Sequence, residues 1–181
     1  MRRVRYQVAC SLDGYIAGPN DEVDWITPEA TFDFEAHYAQ FDTLLMGRRT
    51  YEIARATGET FEGKQVIVAS RSLRQEDHPG FEIVSEGLEA RVRELRAQPG
   101  RDIWLYGGGE LLSQLLAWNL VDTVEPAIIP VLLGGGVQML SPHGVDRRLI
   151  LVGHRAYPSG MLLVEYKVQE AGAADEVAAS E

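Results

Sequence analysis

The chain has 181 residues, 45% of them hydrophobic and 24% charged, the balance of a globular domain that buries its own core. Its 17 basic and 27 acidic residues leave a formal charge of -10, which argues against general affinity for nucleic acid or an anionic membrane. Cys10 is the only cysteine, excluding an internal disulfide; with no apolar run near ~20 residues and no apolar leader at the N-terminus, the expected setting is the cytoplasm.

Val4, Tyr6 and Val8 alternate with Arg5 and Gln7 in the period of a strand, which runs into the turn-forming stretch SLDGYIAGPND. Phe34, Tyr38 and Phe41 recur at helical spacing, and the short apolar run Thr43 to Met46 reads as a buried strand ending at Gly47. Val66 to Ala69 and Phe81 to Val84 are further strands, and Leu88, Val92 and Leu95 mark a helix closed by Pro99-Gly100. Ile103 to Tyr106 is strand-like, and after three glycines Leu111, Leu112, Leu115 and Leu116 form an amphipathic helix. Val124 to Ile129, Leu149 to Val152 and Met161 to Val168 close the chain, the last two as an antiparallel hairpin. Strands alternating with helices predict an α/β fold with a mixed, mainly parallel sheet flanked by helices. One domain over residues 1–168 is expected, followed by an acidic tail, 169–181, holding four acidic residues and no basic ones, and expected to be disordered.

Three segments carry chemistry. In IWLYGGGELLSQLL, Gly107, Gly108 and Gly109 join a strand to a helix, where absent Cβ atoms and free N–H groups suit a pyrophosphate; a tight turn requiring positive φ is the competing reading. In LLMGRRTYE, Arg48, Arg49 and Thr50 open a helix after Gly47, an arrangement fit for a phosphate monoester, and Ser70-Arg71 offers a hydroxyl and guanidinium at another strand end. Solvated surface arginines are the plainer alternative. A second triplet, Gly134-Gly135-Gly136, starts no helix and reads as a connection at a subunit contact or site rim. Asp13, Asp21, Glu22 and Asp24 lack the spacing of a calcium loop, and His37, His78, His143 and His154 are scattered, so no metal site is expected.

The ordered set SLDGYIAG, DWITPEA, LLMGRRTYE, VIVASRSL, IWLYGGGELL and LVDTVEPAIIPVLLGGG, spanning residues 4 to 168, resembles the dihydrofolate-reductase-like superfamily. It is most similar to the branch containing the reductase domain of the bifunctional riboflavin-biosynthesis deaminase/reductase. The resemblance implies a dihydrofolate-reductase-like fold and an extended NADPH across the strand ends. It places the 2′-phosphate against Arg48, Arg49, Ser70 and Arg71, and the pyrophosphate against Thr50 and the turn Gly107, Gly108, Gly109, Glu110, with Gly47 and Leu111 beside them. The nicotinamide falls near Ala9, Ile16 and Trp25. The implied activity is hydride transfer to a small pterin- or aminopyrimidine-like heterocycle or a carbonyl compound, the alternative being a non-catalytic nucleotide- or pterin-binding module.

This sequence departs from its relatives at the substrate side. The carboxylate of true dihydrofolate reductases, five residues after the Trp, is Ala30 here, leaving Asp33 or Glu35 as substitutes, and their threonine is Ala127. The riboflavin reductase's substrate-side Glu and Arg fall on Tyr106 and Tyr38, which suggests a flatter, less charged substrate. Asp33 is therefore the candidate catalytic acid, and Tyr38 and Tyr106 are the candidate substrate contacts. Relatives pair through the sheet edge and the PVLLGGG region, so a homodimer is expected.

Overall fold

The computed structural model describes residues 1–142 and 146–169. Its strands are β1 (Val4–Ser11), β2 (Tyr15–Ala17), β3 (Phe41–Gly47), β4 (Gln65–Ala69), β5 (Glu82–Val84), β6 (Asp102–Gly107), β7 (Thr123–Ile129), β8 (Val137–Gln138), β9 (Leu149–Ala156) and β10 (Leu162–Val168). Four α-helices accompany them: α1 (Phe34–Tyr38), α2 (Arg48–Ala56), α3 (Leu88–Ala97) and α4 (Gly109–Ala117). The main sheet has the order β5-β4-β3-β6-β1-β7-β10-β9. Its pairings are parallel from β5 through β7, and only β10 runs against the rest. The α/β architecture with a C-terminal antiparallel hairpin is as expected from the sequence.

Parallel strands joined by crossover helices are covered on both faces, which is why Val66, Ile67 and Val68 of β4 are all buried. Alternate side chains divide the core between the faces. Leu45, Ile67, Ile103 and Leu105 pack with Val92 and Leu95 of α3 and with the four leucines of α4. Leu44, Met46, Val66, Val68 and Trp104 pack on the opposite side with Tyr51 and Ala54 of α2. Each α4 leucine is at most 5% exposed, a burial contributing about 1.5–3 kcal/mol apiece.

Two expectations are revised by the packing. The helix predicted through Phe41 ends at Tyr38, and Phe41 instead opens β3 as a fully buried residue. The loop after β1 contains β2, which pairs antiparallel with β8, a segment just beyond the second glycine triplet. At Gly136, φ is +134° and a Cβ would fall 2.1 Å from the Ala17 carbonyl oxygen, so this close approach requires glycine. The polar residues of β1 lie inside, Arg5 at 6% and Gln7 at 5% exposure. Of the expected tail, only Gln169 is described, its N–H donating to the Arg148 carbonyl at 3.0 Å; residues 170–181 lie outside the described residues.

Arg5 is tolerated inside because Glu125, on the adjacent β7, accepts from its Nε at 2.8 Å and Nη2 at 2.7 Å, while Gln40 accepts from Nη1 at 2.7 Å. Removing one partner of such a pair leaves a buried, uncompensated charge. Glu125→Ala is therefore expected to lower stability by about 3–5 kcal/mol in urea unfolding, whereas Arg5→Met combined with Glu125→Leu costs far less. A double variant as unstable as Glu125→Ala would refute this account.

Candidate functional site

The parallel strands deliver their carboxyl ends to one edge of the sheet, and a single cleft of about 1760 Å³ runs along it. Helices α2, α3 and α4 all begin there, behind Gly47, Gly87 and Gly108 respectively. None of these glycines supplies a side-chain cap, so the first-turn N–H groups of each helix remain available. The macrodipoles add partial positive charge at the same points.

The glycines of the 107–109 turn serve different ends. Gly107 has φ of +131°, and Cβ atoms on Gly107 and Gly108 would approach only Thr50 Oγ1, at 3.8 and 3.6 Å, and Ile16 Cδ1, at 3.9 Å from the latter. These two positions form an open cradle between α2 and α4. At Gly109, by contrast, a Cβ would meet the carbonyl oxygens of Gln138 and Met139 at 2.7 and 2.8 Å. Glycine is needed there because another backbone segment, distant in sequence, fills the space.

Ala9, Ile16, Gly47, Arg48, Arg49, Thr50, Ser70, Arg71 and the run Gly107 to Leu111 all line this cleft, as does Tyr106. Arg48 pairs with Glu52 of its own helix at 3.1 Å, and Arg49 reaches Asp21 at 2.6 Å. Both pairs are solvent-accessible and worth only about 0–1 kcal/mol, so an incoming phosphate can draw the guanidiniums away. Ser70 Oγ accepts from the backbone N–H groups of Ser72 and Leu73 at 3.2 and 3.1 Å, shaping the turn that presents Arg71.

Three candidates do not line the cleft. Trp25 donates its indole N–H to the Glu22 carbonyl at 3.0 Å and packs toward Ile129, Tyr157 and Met161; Ile26 takes the cleft-facing position. Asp33 caps α1, its Oδ1 accepting from the Ala36 N–H at 2.9 Å. Its carboxylate is thereby used by a five-residue helix whose early N–H groups need an acceptor. Tyr38 stacks behind Phe34 at 5.8 Å, with the Lys64 ammonium 3.9 Å over its ring, and Phe34 reaches the cleft instead. The acidic loop has local roles: Asp13 accepts from the Leu133 and Gly134 N–H groups at 3.1 and 2.7 Å, tying the second glycine triplet to β1. The Ser11 hydroxyl, then those N–H groups, hold its carboxyl at about 2.

Gln7, Trp104, Phe34 and Glu59 also line the cleft and had not been singled out. Gln7 had the position of an outward strand residue, yet it is the floor of this end. Its Nε2 donates to the Glu125 carboxylate, which also accepts from Thr123 Oγ1 at 2.5 Å. That orientation turns Gln7 Oε1 toward His37 Nε2, which must then carry the proton. Burial alone would raise Glu125, but hydrogen bonds from Arg5, Thr123 and Gln7 outweigh it and hold the carboxyl below its ordinary value. Burial, and secondarily the Arg5 charge, push His37 below its ordinary 6.5.

The mainly parallel sheet flanked by helices, with its C-terminal antiparallel hairpin, is a dihydrofolate-reductase-like fold, and uncapped helix N-termini and arginines gather at its strand ends. The chain belongs to the RibD C-terminal domain family, whose model matches residues 2–163; this is the family of the reductase domain of riboflavin biosynthesis, an oxidoreductase domain that uses a nicotinamide cofactor. The uncharacterized protein YyaP of Bacillus subtilis is 29% identical, the match covering 91% of this chain and 94% of that protein. The riboflavin biosynthesis protein RibD of Corynebacterium ammoniagenes is 26% identical over 76% of this chain but only 46% of its own length. Among solved structures, the Shewanella sp. PV-4 protein assigned to riboflavin biosynthesis superposes with a TM-score of 0.79 at 24% identity, covering 92% of this chain and 99% of that one.

Because folded His37 resists protonation, an unfolded chain binds an extra proton once pH falls below about 6.5, and native stability declines through that point. The depressed Glu125 carboxyl contributes stability that is present above its unfolded value of 4.5 and is lost at lower pH. The urea midpoint is expected to drop between pH 7.5 and 5.5, and His37→Gln should flatten that interval. An unchanged slope in the variant would remove His37 from the explanation.

Proposed function

We propose that the chain is an NADPH-dependent reductase of a small heterocyclic or carbonyl substrate. The observation that carries this reading is the pair of glycine-capped helix N-termini, α2 and α4, opening on one cleft with a Cβ-free cradle between them. The residues present fit the cofactor. Thr50 and the N–H groups after Gly108 would hold the pyrophosphate, while Arg48, Arg49, Ser70 and Arg71 would hold the 2′-phosphate. The cleft also exceeds the roughly 300–1,000 Å³ of a one-ligand pocket, leaving room for a second molecule beside a dinucleotide. When bound, the nicotinamide supplies the hydride, and the chain orients substrate against it.

Asp33 lying off the cleft favours a second reading, a binding module of the same fold without turnover. Steady-state NADPH oxidation against dihydrofolate, the aminopyrimidine ribitol precursor, quinones and aldehydes separates the two. Turnover supports the reductase; tight NADPH binding with none supports the module. Arg48→Ala/Arg49→Ala is expected to raise the Kd for NADPH by about 10- to 100-fold and that for NADH by less than about threefold, in fluorescence titration. Equal losses for the two cofactors would defeat the 2′-phosphate assignment.

A homodimer and a cytoplasmic setting accompany this reading. Among the described residues no helix is long and apolar enough to cross a membrane. At the free edge of the sheet, Leu149, Ile150, Leu151 and Val152 of β9 are consecutive, apolar and 42–59% exposed. Successive strand residues face opposite sides, so both faces of this edge are apolar, a liability in a monomer. A second copy covers it by two-fold pairing. Analytical ultracentrifugation is expected to give a dimer that Leu151→Lys with Val152→Lys converts to monomer; a monomeric parent chain would rule the dimer out.

A further inference from the structure

Charge is distributed unevenly along the cleft. Its lining arginines are Arg48 and Arg49 at the start of α2 and Arg71 after β4, and among the described residues no other arginine and no lysine lines it. Toward β6 and β1 the lining passes to Gln7, Phe34, Trp104 and Tyr106, with Glu59 at the side. The Tyr106 hydroxyl donates to Glu59 at 2.9 Å, so the ionisable charge at this end is negative.

Cations near this end have other partners. Arg5 is held by Glu125, as described above, and Arg101 donates to the Ala39 carbonyl at 2.8 Å. Lys64 donates to the carbonyls of Tyr38 and Phe41 at 2.9 and 2.7 Å. A phosphate placed here would lose water, gain no cation and face a carboxylate. The same end carries aromatic rings: Phe34 is 58% exposed and lies 6.4 Å from Trp104, whose buried indole backs it, and the Tyr106 centroid is 5.1 Å from Trp104. Such surfaces gain most from a planar partner.

We propose that the β6–β1 end of the cleft binds a planar, uncharged heteroaromatic ring carrying no phosphate, and discriminates against phosphorylated forms of the same ring. This rests on the reading of the arginine-rich end as the cofactor's phosphate site. Riboflavin and riboflavin 5′-phosphate serve as probes, since they share one ring and differ only by the phosphate. NADP+ saturates the cofactor end without supplying a hydride.

Calorimetric titration of the NADP+-saturated chain is expected to show riboflavin binding at least about tenfold more tightly than its phosphate. Glu59→Lys, at an exposed position, is expected to narrow that ratio by roughly tenfold. Equal or tighter binding of the phosphate, or no binding of riboflavin to a chain that takes up NADP+, overturns this inference alone. Failure to bind NADP+ overturns the reading of the arginine end, and the inference with it.

Discussion

The common direction of the strands from β5 to β7 is the constraint on which the site depends. Parallel neighbours cannot be joined by a tight turn, so the chain must cross over the sheet, and after β3, β5 and β6 it does so through α2, α3 and α4. Each crossover helix then starts at the same edge of the sheet. Three positive helix ends converge on one cleft without any of them being specified by a neighbour in sequence. Glycine at every N-cap keeps those ends uncapped by side chains.

The cleft's two ends are built by different physics. At the α2–α4 end, backbone N–H groups and exposed arginines create an environment for anions, with Gly107 and Gly108 allowing close approach. At the other end the floor is Gln7, held by the polar network Arg5–Glu125–Gln7–His37 that ties β1 to β7 and α1. The aromatic wall of Phe34, Trp104 and Tyr106 stands over that floor. A buried ion pair of this kind adds little net stability, but it holds the Gln7 amide in one orientation and the imidazole of His37 in one tautomer.

Much of the scaffold was legible because its signals are local. The strand cores, the leucine stripe of α4 and the glycine-to-helix transitions are patterns of period two or 3.6, readable wherever they occur. The phosphate-facing candidates came from the same source, since a helix start and its flanking residues are contiguous. Trp25, Asp33 and Tyr38 failed to reach the cleft for a different reason. Whether a residue on a short loop or a five-residue helix points inward depends on what packs behind it, and Phe34 and Ile26 occupy the positions that face the cleft. Gln7 and Arg5 were obscured by their polarity, which on a strand ordinarily marks a solvent face.

The sequence by itself determined the α/β class, the order of the main-sheet strands along the chain and the glycines at the helix starts, because each follows from nearest-neighbour sterics and hydrophobic period. Only the tertiary structure decided that Gly109 is glycine to admit the Gln138–Met139 backbone, that Glu125 neutralises Arg5 from a strand 120 residues away, and that the cleft's cations stand at one end. Those outcomes depend on which strands become neighbours. Adjacency is set by the summed packing of the whole sheet, not by any segment of it.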